Sequence, residues 1–181
     1  MSHSLSLFAR LKLAAAELRS TKSLVGASMM AALNLVLNQF TIMVSQMLEI
    51  GFAFLATAAA AYLYGPWLAG LMGIVTDTVG YFLRPNGPYF PFWALNEFLL
   101  GFLYGCFFYK RPVTLARTAA AYGTAMVVIN LGLSPLWLHM MYGNALVITG
   151  ARLIKNLVMF PLNTALLYAV LRALQARRRA L

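Results

Sequence analysis

The chain has 181 residues, 62% of them hydrophobic and 10% charged, and a mean hydropathy of +0.77. That leaves too little polar surface to cover a soluble globule, so a bilayer must act as most of its solvent; the length allows several spans but no second soluble domain of ordinary size. A net charge of +10 calls for a nucleic-acid partner only when Lys and Arg cover a soluble face. Here they cluster beside apolar runs, so membrane orientation accounts for them and no nucleic acid is expected. The single Cys106 excludes an intrachain disulfide and a multi-cysteine metal site.

Residues 1–22 carry Arg10, Lys12, Arg19 and Lys22 against Glu17, with neither an uninterrupted apolar run nor a small-residue cleavage site. They read as a cytosolic basic amphipathic lead-in that stays in the mature protein. Residues 23–176 form the membrane domain, divided by Pro, Gly and polar clusters into six predicted helices. The first runs from Ser23 to Leu37 and gives way to a mixed stretch, Asn38 to Glu49, placed as a first outer loop over an aqueous cavity. The second covers Ile50 to Tyr64 and turns at Gly65-Pro66 into the third, which reaches Leu83. Arg84 to Pro91 contains three prolines and is a rigid second outer loop. The fourth helix is Phe92 to Tyr109, followed by a basic inner loop with Lys110, Arg111 and Arg117. The fifth, Leu115 to Trp137, is expected to kink at Ser134-Pro135. His139 to Ala145 make the third outer loop. The sixth helix, Ile148 to Leu174, is expected to bend at Pro161 before a cytosolic basic tail, 177–181.

An even number of spans puts both termini on one side. The lead-in, the loop between the fourth and fifth helices and the tail are all basic, so that side is the cytoplasm and the chain is an all-α, multi-pass integral membrane bundle. Against this rule the exceptions are informative. Arg84, Arg152 and Lys155 fall toward the outer side, while Asp77 and Glu97 sit within or beside apolar helices. Arg152 and Lys155 share one helical face with Asn156 near the positive end of a helix dipole. That arrangement is disfavoured unless an anion compensates; the alternative is that both side chains snorkel to the interface. Asp77 has two readings, a carboxylate that accepts donors from a heterocycle or a partner for a cation such as Arg152. Glu97 has the same two, with Arg84 as its candidate partner.

Tyr81, Tyr89, Phe90, Phe92, Trp93, Trp137 and Tyr142 fall near outer helix ends, either as an interfacial belt or as a stacking slot for a flat ring. Asn34, Asn38 and Gln39 either hydrogen-bond a ligand or cap a broken helix. Ala27-x-x-x-Ala31 allows close helix approach, although Ala56-x-x-x-Ala60 and Ala69-x-x-x-Gly73 repeat the spacing. There is no G-x-x-x-x-G-K-[ST] loop, no H-E-x-x-H and no nucleophile with its base, so neither an ATP site nor catalysis is expected in this chain.

The stretch Leu133-Ser-Pro-Leu-Trp137-Leu-His-Met-Met-Tyr142-Gly143, followed by Arg152-Leu-Ile-Lys155-Asn156 and Phe160-Pro161, resembles the end of the folate-specific S-component of energy-coupling factor (ECF) vitamin transporters. Ala27-x-x-x-Ala31, the Tyr64-Gly65-Pro66 turn, Asp77 and the Arg84-Pro-x-Gly-Pro-Tyr-Phe-Pro loop extend the resemblance over most of the chain. It implies a six-helix subunit of the bacterial plasma membrane that binds folate at the extracellular side under its outer loops. It further implies a transmembrane coupling protein and two ATPase subunits as partners, ATP being held by those partners. Ala27 and Ala31 would contact the coupling protein, and the subunit would tumble in the membrane to release its substrate inward. On this reading aromatic residues stack the pterin, an acidic or amide side chain reads its edge, and Arg152 with Lys155 attracts the carboxylates. An S-component for another vitamin, a standalone channel and a small membrane enzyme are the alternatives.

Overall fold

The computed structural model describes residues 6–40, 42–45, 48–85, 90–143 and 145–180, and of residues 42–45, 48–50, 142, 145–155 and 179 the backbone alone. The architecture is helical apart from one hairpin. Its elements are α1 (Leu7–Glu17), α2 (Thr21–Gln39), β1 (Ile42–Ser45), β2 (Leu48–Ile50), α3 (Ala53–Tyr64), α4 (Pro66–Leu83), α5 (Phe92–Phe108), α6 (Leu115–Ala125), a π-helical segment (Met126–Leu133), α7 (Ser134–Tyr142) and α8 (Ala145–Ala180).

Local chemistry sets the boundaries. Ser6, Ser20 and Thr114 cap α1, α2 and α6, each accepting through its side chain from a backbone N–H of the first turn. Gly65 adopts φ +89, which side chains rarely tolerate, and Pro66 then opens α4 at a position that needs no N–H donor. Gly143 closes α7 in the left-handed conformation.

The most extensive helix contact joins α4 to α5. A Cβ on Gly101 would lie 2.3 Å from the Ala69 carbonyl oxygen, and one on Gly73 would lie 2.4 Å from that of Glu97. The two backbones therefore touch. Gly101 and Gly105 lie one turn apart in α5 opposite Ala69 and Pro66, so the small-residue spacing at Ala69-x-x-x-Gly73 has its counterpart in the facing helix. The core continues through Ala58, Ala61, Tyr104 and Phe108 to Leu167 and Leu171 of α8.

Leu115–Met141 and Asn156–Arg178 are each long and apolar enough to cross a membrane. The pair α1 and α2 is a third if counted as one span, although the two helices meet at 90°; α3 and α5 are shorter apolar helices. A π-helical segment directly precedes Ser134-Pro135, where the kink is predicted, and α8 is a single helix through Pro161, where the bend is predicted. The mixed stretch predicted as a loop after α2 contains the antiparallel pair β1–β2, with Ile42 opposite Ile50 and Met43 opposite Glu49.

At the basic end of the bundle α1 is docked rather than free. Arg10, 4% exposed, donates to the Cys106 and Tyr109 carbonyls at 3.0 and 3.3 Å and so caps the carboxyl end of α5. Glu17 accepts from Ser23 Oγ at 2.5 Å and from the Tyr109 hydroxyl at 2.9 Å, and Trp67 donates to the Leu11 carbonyl.

Candidate functional site

A cavity of about 220 Å³ lies between the start of α3, the middle of α5, the α6 and π-helical wall, and α8. Its polar lining is Glu97, Tyr104, Tyr122, Asn130, Asn156 and Asn163; its apolar lining includes Phe54, Leu100, Met126, Ile129 and Met159. Gly51, directly after β2, brings the hairpin to its rim.

Each wall places its groups by helical periodicity. In α5, Glu97, Leu100 and Tyr104 recur at spacings of three and four; in α8, Asn156, Met159 and Asn163 do the same. The π-helical segment presents Met126, Ile129 and Asn130. A widened helix beside a cavity is where irregular backbone is tolerated in a membrane protein. Asn163 Nδ2 donates to the Tyr122 hydroxyl at 2.7 Å, and the Tyr122 ring packs at 6.0 Å from Phe54 and 5.7 Å from Phe160. Among the described residues, the Glu97 carboxylate has no hydrogen-bonding partner, and Asp77 of α4 lies close enough to interact with it electrostatically. Two partly buried acids, with no cation between them among the described residues, suit a ligand edge rich in N–H donors.

Of the residues singled out from the sequence, Glu97 and Asn156 meet in this cavity. Position 152 lies one turn from Asn156 on the same face of α8, toward the hairpin end. Tyr89 and the side chains of Tyr142, Arg152 and Lys155 lie outside the described residues. Trp137 is 7% exposed, donates its indole N–H to Asn96 Oδ1 at 3.0 Å and packs at 4.7 Å from the Phe92 ring. Asn34, also buried, donates to the Ala53 carbonyl and to Thr57 Oγ1, both at 3.0 Å, and ties α2 to the first turn of α3. Asn38 sits against Gly80 of α4. Arg84 is exposed at the end of α4, and Trp93 is half-buried in the first turn of α5, neither lining the cavity. Ala27 is buried, 4% exposed, and Ala31 half-buried; the open face of α2 carries Leu24, Val25, Met29, Leu33 and Val36.

Tyr104, Tyr122, Asn130 and Asn163 line the cavity without having been singled out from the sequence. Their signal was available for the two asparagines, amides in the middle of apolar helices, where a polar group needs a partner. The tyrosines read as ordinary core aromatics until the bundle turns them to one space.

Long apolar helices around a polar-lined cavity are the architecture of a membrane protein with room for a small molecule. Residues 22–171 match the model for the substrate-specific component of ECF transporters, and the chain belongs to that family, a transporter family rather than an enzyme family. It is 34% identical over 140 residues to the folate transporter FolT of Clostridium novyi (strain NT), covering 77% of this chain and 81% of that protein. It is 30% identical over 158 residues to FolT of Leuconostoc mesenteroides subsp. mesenteroides, covering 83% and 85%. Its fold is similar to a crystal structure of FolT bound with folic acid, with a TM-score of 0.76, 36% identity, and 83% of this chain and 91% of that chain covered.

Proposed function

We propose that this chain is the folate-binding subunit of an ECF-type importer in the bacterial plasma membrane. It crosses the membrane six times with both termini in the cytoplasm, takes folate at the extracellular side and delivers it inward. A transmembrane coupling protein and two ATPase subunits complete the transporter, and ATP is held and hydrolysed by those partners. The observation that carries this reading is the likeness, at 36% identity over 83% of this chain, to a FolT structure bound with folic acid.

The cavity supports it chemically. At about 220 Å³ it is smaller than the ~300–1,000 Å³ typical of ligand pockets, so a flat bicyclic ring enters and the rest of the molecule extends toward the hairpin. Glu97 meets the amino-pyrimidine edge of the pterin, whose adjacent N–H donors suit a carboxylate. Tyr104, Tyr122 and Phe54 enclose the ring faces. Positions 152 and 155 follow the same helix outward from Asn156, where Arg152 and Lys155 attract the glutamate carboxylates.

The test is calorimetric titration of the purified chain in nanodiscs with folic acid, thiamine, riboflavin and biotin. Folic acid is expected to bind and the others not to compete. Preference for another vitamin, or no binding, overturns the assignment. Arg152→Ala and Lys155→Ala are expected to weaken folic acid while leaving pterin-only ligands unaffected; unchanged affinity in both removes the cations from the site.

A further inference from the structure

At the opposite end from the cavity, a cleft of about 370 Å³ lies between the α5–α6 connection and the last turns of α8, lined by Tyr62, Lys110, Arg111, Pro112, Gln175 and Arg178. Its walls are fixed. Gln175 accepts the Val113 backbone N–H at 3.3 Å, which holds α8 against the connection; the Arg178 guanidinium lies 5.9 Å from the Tyr62 ring and the Lys110 ammonium 5.3 Å from that of Tyr109. Lys110 has φ +52, a conformation a lysine adopts only where the surroundings impose it. Three cations thus face one cleft, and no carboxylate among the described residues pairs with them. Glu17, at the same end of the bundle, is already engaged by Ser23 and Tyr109.

The position of the cleft decides what fills it. One segment long and apolar enough to cross a membrane begins at Leu115, three residues after Pro112, and another ends at Arg178. The cleft therefore sits at headgroup depth, between the ends of two apolar helices, with Leu115 exposed beside it. We propose that it binds the phosphodiester headgroup of an anionic phospholipid, the acyl chains lying along α6 and α8. Lys110, Arg111 and Arg178 supply charge to the phosphate, and the lipid fastens the end of α8 to the α5–α6 connection.

The chain, stripped of lipid in detergent, is titrated with phosphatidylglycerol, phosphatidylcholine or inorganic phosphate, and bound lipid is read by native mass spectrometry alongside the melting temperature. Phosphatidylglycerol is expected to stay bound and raise the melting temperature, with phosphatidylcholine and phosphate inert. The double variant Arg111→Gln, Arg178→Gln is expected to bind phosphatidylglycerol about thirtyfold more weakly, and the milder Lys110→Gln about fivefold. Arg19→Gln with Lys22→Gln, the same loss of charge at the same end, is expected to bind as the parent does. Equal affinity in the cleft variants, equal loss in the control, or the same stabilisation by phosphate alone each overturns the proposal. So does a cleft variant that keeps its lipid but no longer co-purifies with an ATPase-containing complex, since the cleft is then a protein contact.

Discussion

Trp137 and Asn96 form a closed pair across α7 and α5: the indole N–H donates to Oδ1 at 3.0 Å, and the same amide donates to Ser134 Oγ at 3.3 Å. Asn96 is 3% exposed, so it is satisfied only while α7 stays in register with α5. Trp137→Phe keeps the ring packing with Phe92 and strips Asn96 of one partner; a loss of about 1–2 kcal/mol is expected in thermal or denaturant unfolding of the solubilised protein. The double variant with Asn96→Leu should lose less than the sum of the single changes. Strict additivity would show that the pair is not coupled.

The α4–α5 crossing predicts a sharp contrast between glycines. Gly101→Ala drives a methyl to 2.3 Å from the Ala69 carbonyl oxygen and must push the two backbones apart, at a cost of about 2 kcal/mol or more. Gly132→Ala meets only the Val127 carbonyl oxygen at 3.5 Å, an ordinary contact, and should be tolerated. Melting temperatures of the two variants decide the matter; similar losses in both would contradict the crossing geometry.

Arg10→Met removes the donors that cap the carboxyl end of α5 while keeping much of the side-chain volume. The Cys106 and Tyr109 carbonyls lose a charged partner, so about 1.5–3 kcal/mol should be lost and limited proteolysis should cut within residues 6–20 sooner than in the parent. Unaltered cleavage would mean that α1 is held by its apolar face and its other hydrogen bonds, those of Glu17 and the Leu11 carbonyl.

Burial, and after it the hydrogen bond to Glu17, hold the Tyr109 phenol above the ordinary tyrosine value. The folded state therefore favours the neutral form. That contribution is complete below about pH 10, the unfolded value, and is lost as pH rises through the higher folded value. Against Tyr109→Phe, the parent's stability advantage should be flat between about pH 7 and pH 9 and shrink in stronger alkali. An advantage that grows there would reverse the sign of the effect.

In the cavity, Glu97→Gln keeps the shape of the side chain and removes the charge that the proposed pterin edge would meet. Folic acid should bind roughly tenfold to a hundredfold more weakly, with little change in the melting temperature of the empty protein. Asn163→Leu releases the Tyr122 hydroxyl and should have a smaller effect in the same direction. If Glu97→Gln binds folic acid as the parent does, the ring lies elsewhere.

Breaks in the chain were legible because proline and glycine act locally. The Gly65-Pro66 turn, the start of α5 at Phe92 and the end of α4 at Leu83 fall where the sequence puts them. What the sequence hides depends on contacts between distant residues. Arg10 reads as one more positive charge of a cytosolic lead-in, yet its cap on α5 joins positions far apart in the chain. The hairpin at Ile42–Ile50 lacks the strict alternation that marks a strand, and Tyr104 and Tyr122 become cavity walls only once α5, α6 and α8 are assembled. Asn34 shows a third case. Its two readings, ligand donor or helix cap, stay open on sequence position alone, and in the structure its amide N–H groups donate to the Ala53 carbonyl and Thr57 of α3.

The π-helical segment Met126–Leu133 has a consequence for any change in chain length there. A π turn carries one residue more than an α-helix uses, so deleting a single residue between positions 126 and 133 would give a more regular helix rather than a broken one. Because the wide turn absorbs the surplus residue, the helix beyond the deletion would keep close to its present orientation, and Trp137 would stay near Asn96. Ile129 or Asn130 would drop out of the cavity wall. A shorter, more regular helix would then surround a different space, so the surplus residue belongs to the shape of the cavity in its own right.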